Sequence, residues 1–278
     1  MSNGTSSKDR WDIARQTANV VGAVFQVSSG PIGTLIYGAS VGEVSNANST
    51  LVVPAGYAFA IWGLIFVLCL AYAVYQALPA NRHNPLLRRV GWFSAGAFLL
   101  NGLWSLVFPA QLFLVAQVII LAIFACAGAA FLLVSRAGRE HGLSRAERWL
   151  VVLPFGLLFG WITAATFVSI ATTLVGVGVL RGGIGEAVLG AVLLLAGGLI
   201  AATVIRAAKS GPAQGTVAYS AAVLWALVAV VVNQYETSLL TTAAAAVAAV
   251  PVALALLDAL RGNRTRRSSG SGARPRPV

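Results

Sequence analysis

From Pro54 to Pro79 the chain reads PAGYAFAIWGLIFVLCLAYAVYQALP, with no charged residue. At about 1.5 Å per residue, a helix of this run crosses a hydrocarbon core of roughly 30 Å. Backbone polar groups inside lipid must be satisfied within the segment, so only helices and closed barrels can span. Seven further apolar runs accompany it. The eight are Ile13–Tyr37, Ala55–Leu78, Arg88–Phe108, Leu112–Ser135, Glu147–Thr172, Ile184–Ile205, Thr216–Val232 and Ser238–Leu260. They are continuously apolar, without the period-two alternation of barrel strands, so the predicted fold is an all-α integral membrane protein with eight transmembrane helices. Composition agrees: 58% of residues are hydrophobic and 10% charged, where a soluble domain carries about 25% charged. Mean hydropathy is +0.82.

The formal net charge of +11 would suit a nucleic-acid binder only if the basic residues shared a soluble face. They lie instead between and beyond the apolar runs, so no nucleic-acid partner is expected. With the N-terminus inside, every basic residue but Arg181 falls in an inside segment. The positive-inside rule therefore predicts eight crossings of the cell membrane and two cytoplasmic termini. Residues 1–12 form a polar N-terminus, which lacks the pattern of a removable signal peptide. Residues 261–278, RGNRTRRSSGSGARPRPV, form a basic tail whose composition predicts disorder and contact with anionic lipid.

The first run opens with Arg15, Gln16, Thr17 and Asn19, and Gly30-Pro31 is expected to bend it. Pro109-Ala110-Gln111 leaves room only for a tight hairpin between the third and fourth runs. Gly156 and Gly160 form a GxxxG, which suits close helix crossing within the bundle or between copies. Cys69 and Cys126 sit mid-run and read as small hydrophobes rather than a disulfide or metal pair.

Trp11, Trp92 and Trp149 fall at inside ends of their runs, where indoles anchor at the interface. Trp62, Trp104 and Trp161 fall at overlapping depths in the outer halves of three different helices. Phe59 and Trp62 share a helix face, as do Asn101, Trp104 and Ser105. A buried indole N–H needs an acceptor, and Asn101, Ser105, Thr163 and Thr166 lie within about a turn. Spacing admits an aromatic pocket, an aromatic belt, or ordinary ring packing.

These residues carry a resemblance. PAGYAFAIWG (Pro54–Gly63), LNGLWSLVF (Leu100–Phe108) and Pro154 with WITAAT (Trp161–Thr166) resemble the second-, third- and fifth-helix signatures of the TspO/MBR family, the tryptophan-rich sensory or translocator proteins. The resemblance covers residues 13–172 and implies a five-helix bundle enclosing an aromatic pocket under the first loop. Residues 184–260 then form an additional three-helix segment. The family's KPxW is replaced by SNANSTLVVP (Ser45–Pro54), and Tyr57 stands where a tryptophan is usual. At matching positions the resemblance implies a ligand site of Tyr57, Phe59, Trp62, Asn101, Trp104 and Trp161, to which spacing adds Ser105 and Thr166. It implies a flat hydrophobic ligand, a tetrapyrrole or sterol-like molecule, and a homodimer.

The span centres hold no Asp, Glu, Lys or Arg, which disfavours ion-coupled transport. Neither HExxH, GxSxG nor a carboxylate pair occurs at depth, so no catalytic residues and no cofactor are expected. His83 and His141 fall in inside loops, away from any metal-ligating role at the pocket. The expected function is a membrane sensor or binding protein for such a ligand. A facilitated transporter and a ligand-free interaction scaffold stand as alternatives.

Overall fold

The computed structural model describes residues 7–140, 142–180 and 182–271, with side chains through 262. Among the described residues, eight helices are long and apolar enough to cross a membrane: Ser7–Tyr37, Gly56–Ala77, Pro85–Val107, Phe113–Glu140, Arg145–Gly176, Gly183–Ala208, Ala213–Gln234 and Leu239–Gly262. No strand forms among the described residues. Each span overlaps its predicted run, and local chemistry sets several ends. Asn84 Oδ1 accepts from the Leu86 and Leu87 amides at 2.9 and 3.2 Å, with Pro85 in the first turn of the third span. Ser144 and Glu147 close a capping box at the start of the fifth. Between the third and fourth spans, Gln111 takes a positive φ of 58° and its amide donates to Phe108 O, making the tight hairpin that three residues require.

Two ends differ from expectation. The first helix starts at Ser7, inside what composition set apart as a polar terminus, and it stays helical through Gly30-Pro31. The last helix continues through Ser271, beyond Leu260, into the tail whose composition suggested disorder. Residues 272–278 of that tail lie outside the described residues.

The polar opening of the first span has a clear cause. Asp12, Arg15, Gln16, Asn19, Gln26 and Ser29 are all buried, whereas Val20, Val21, Val24, Leu35 and Ile36 are exposed. The helix turns its polar stripe into the bundle and its apolar side to lipid, because lipid offers polar groups no partners. Arg15 donates to Leu87 O at 3.2 Å and Arg82 O at 2.8 Å. Asn19 donates to Gly91 O at 2.7 Å and accepts from Ser94 Oγ at 2.6 Å, and Tyr72 Oη lies 2.9 Å from Ser94 Oγ.

The fifth span is the most buried of the eight and packs against the second, fourth, sixth and seventh. Its GxxxG is used within the chain: a Cβ at Gly156 would strike Gly215 O, and one at Gly160 would strike Tyr219 O. Gly198 of the sixth span fits equally closely against Ala248 of the eighth. The last three spans therefore join one bundle with the first five.

Between the first and second spans, on the face opposite the N-terminus, a short helix Val41–Ala47 and an extended stretch form a roof. The Glu43 amide donates to Ser40 Oγ at 3.2 Å, and the Ser40 amide donates to Glu43 Oε2 at 2.7 Å. The Ser40 amide first, and its hydroxyl second, hydrogen-bond the Glu43 carboxyl and hold it below its ordinary pKa of 4.5.

Candidate functional site

Phe59, Trp62, Asn101, Trp104 and Trp161 meet around one small cavity, about 290 Å³ of atom-free space counted to its open side, with Ile120, Ile123, Ile162 and Ala165 completing the lining. The rings hold one another at defined angles. Trp161 takes Phe59 edge-on at 6.0 Å and Trp62 edge-on at 6.2 Å, while Trp62 stacks on Phe66 at 5.1 Å. Trp104 stacks on Phe108 at 4.7 Å. Such offsets suit the ring quadrupoles and give the walls stiffness as well as apolar area. Three indoles from the second, third and fifth spans thus share a hollow.

Phe59, Trp104 and Trp161 also line a second, larger cavity, with about 860 Å³ of atom-free space counted to its open mouth. Its far wall comes from the sixth and seventh spans, through residues such as Leu194, Gly197, Val223 and Leu227. Gly197 faces the Phe167 ring so closely that an added Cβ would stand 3.1 Å from it, and the absent side chain lets the ring pack against the sixth span. Val41, Ser45, Val52 and Pro54 form the roof.

The sixth and seventh spans also tie that roof down. Leu51 N donates to Glu186 Oε1 at 3.0 Å, and Ala55 N donates to Ala229 O at 3.0 Å. Asn233 Nδ2 reaches Val53 O at 3.0 Å, while Gln234 Nε2 reaches Thr50 O at 3.3 Å and Val53 O at 3.2 Å. Trp225, a residue that sequence reasoning passed over, donates its indole N–H to Ala58 O at 3.1 Å. A lone tryptophan in a featureless apolar run carried no signal of this.

Not every expected residue reaches the cavities. Tyr57 is exposed and packs edge-on against Trp225 at 5.4 Å. Ser105 and Thr166 are buried but line neither cavity. Their hydroxyls donate to Asn101 O at 2.9 Å and Ile162 O at 2.7 Å, and Thr163 donates to Phe159 O at 2.8 Å. Back-bonding to one's own helix is the nearest option for a hydroxyl in an apolar span, so these groups are not the indole partners that spacing suggested. The Trp104 and Trp161 indole N–H groups are buried without an acceptor. Asn101 Nδ2 donates to Gln26 Oε1 at 3.2 Å, leaving Asn101 Oδ1 and Gln26 Nε2 unpaired.

A titratable cluster among the described residues lies elsewhere, at the face carrying the N-terminus. Asp9, Asp12 and His83 come together there. Arg88 Nε grips both Asp12 oxygens at 2.9 and 3.1 Å, and Arg15 stands 3.7 Å from the same carboxylate. Two guanidinium groups already pair with the Asp12 carboxylate, and His83 stands 3.7 Å from Asp9, so the cluster reads as an ion-pair network rather than a cation site. Trp11, Trp92 and Trp149 are exposed on the bundle surface, where interfacial anchors belong.

Eight apolar helices among the described residues, packed as one bundle, define an integral membrane protein of the helical-bundle class. Comparison with protein families matches residues 17–257 to the family described as TSPO-like protein, and the chain belongs to that family. The match extends past Thr172, where the motif resemblance ended, and takes in the last three spans. Neither the curated proteins nor the solved structures compared gave a match.

Proposed function

We propose that this protein is a membrane sensor or binding protein for a flat hydrophobic ligand, a tetrapyrrole or a sterol-like molecule, held between the first five spans and the last three. One observation carries the reading: Trp104 and Trp161, on different spans, are walls common to both cavities. A flat polycycle gains stacking and dispersion from such walls, while a few polar groups orient it. The latches fasten the roof of the larger cavity without any ligand, which would lower the cost of ordering that segment on binding. On the same reading the protein sits in the cell membrane with both termini cytoplasmic. Its basic C-terminal segment then rests on anionic headgroups.

The test is a titration of purified protein in nanodiscs with protoporphyrin, protoporphyrin dimethyl ester and a steroid ketone. Tryptophan emission reports the porphyrins, and displacement of the ester reports the steroid. Saturable binding of any one, lost in a Trp62→Ala/Trp161→Ala variant, supports the reading. No saturable binding by all three, or binding unchanged in that variant, removes it.

A further inference from the structure

The chemistry of the cavity walls narrows the ligand further, resting on the reading just proposed. We infer that the site selects uncharged polycycles bearing a hydrogen-bond acceptor, such as a ring ketone or an ester, and discriminates against carboxylates.

The first support is the donor inventory. Two indole N–H groups, on Trp104 (8% exposed) and Trp161 (3% exposed), are the buried donors left without acceptors on the shared wall. The wall threonines have committed their protons: Thr163 donates to Phe159 O and Thr172 to Val168 O. Asn101, beside the small cavity, spends one amide proton on Gln26 and leaves its Oδ1 unpaired, a single acceptor against two unpaired indole donors. Ser45 and Ser169 carry hydroxyls that turn either way. An indole nitrogen only donates, so a matching ligand brings acceptor oxygen to the boundary of the two cavities. A pure hydrocarbon leaves both N–H groups dehydrated and unpaired.

Charge supplies the second support. Among the described residues, neither cavity is lined by Asp, Glu, Lys, Arg or His. A carboxylate taken into these walls loses its hydration and meets no cation, an arrangement proteins avoid. The roof adds the wrong sign. Glu43 stands on the short helix whose Val41 and Ser45 line the cavity, and Glu186 is bonded to Leu51, next to the lining Val52. The described basic side chains of the spans cluster instead near the opposite face, as in the Asp12–Arg15–Arg88 network. Donors without cations favour a neutral acceptor over an anion.

The experiment compares two matched pairs in nanodiscs, each corrected for partition into protein-free discs. Protoporphyrin against its dimethyl ester differs in charge, and cholestenone against cholestane differs mainly in the carbonyl. Expected are an ester at least about tenfold tighter than the free acid, and a ketone displacing the ester several-fold better than the hydrocarbon. In a Trp104→Phe/Trp161→Phe variant, the ketone preference falls toward unity while the hydrocarbon is little changed. A merely structural role for the indoles would weaken both steroids alike. A free acid that binds as tightly as its ester overturns the inference while leaving the proposed ligand site standing, and so does a ketone preference that survives in the variant. If none of the four compounds binds, both readings fall.

Discussion

The indole N–H of Trp225, in the middle of the seventh span, donates to the carbonyl of Ala58 at 3.1 Å, in the turn that opens the second span. That bond joins a late helix to the entrance of an early one, beside the Val53, Thr50 and Leu51 latches. The roof over the aromatic cavity is consequently held by helices more than a hundred residues away in sequence.

Trp225→Phe keeps an aromatic ring against Tyr57 and removes only the donor. A loss of about 1 kcal/mol is expected for the missing hydrogen bond. Limited proteolysis in nanodiscs should cut faster within residues 38–55, with the spans unaffected. An unchanged cleavage rate would show that the other latches suffice.

Asp12 is 5% exposed and balances Arg15 and Arg88. Asp12→Asn leaves the buried Arg15 guanidinium without its counter-charge, and such breaks cost about 3 kcal/mol or more. Thermal unfolding in detergent should show a large drop in midpoint. Arg88→Gln should cost less, because Arg88 is partly exposed and Asp12 retains Arg15.

Gly160 has no space for a side chain, since its added Cβ would meet the Tyr219 carbonyl, a backbone atom that cannot rotate away. Gly160→Ala should destabilise by about 1–3 kcal/mol through overpacking. Gly63→Ala meets nothing within 4 Å and should stay within about 0.5 kcal/mol of the parent. Denaturant or thermal midpoints of the two variants provide the comparison.

The Glu43 carboxyl is held below its usual pKa by Ser40. Its contribution to the short roof helix is therefore present above the ordinary value of 4.5 and is lost as pH falls through the lowered one. Amide NMR signals of residues 41–44 should shift in that acid window. In Glu43→Gln the transition should vanish.

Much of the architecture was legible from residues alone. Eight crossings followed from run length and absent charge, because lipid penalises every unpaired polar group wherever the chain folds. The convergence of Trp62, Trp104 and Trp161 could be posed from their depths. Ser105 and Thr166 misled because i, i+3 and i+4 spacing names a shared face, whereas their hydroxyls bond to the carbonyl one turn back. Tyr57 misled because its ring finds Trp225 on a distant helix.

Hydrophobicity and charge, read along the chain, determined how many helices cross and which residues could reach a common depth. The tertiary structure alone decided which faces meet. Close fits such as Gly160 on Tyr219 bring the seventh span against the fifth. That approach makes Val223 and Leu227 part of the far wall of the cavity and Trp225 a roof latch. An apolar run looks the same whether it meets lipid or another helix, so its partners are set only by shape complementarity and by where each polar group finds its bond.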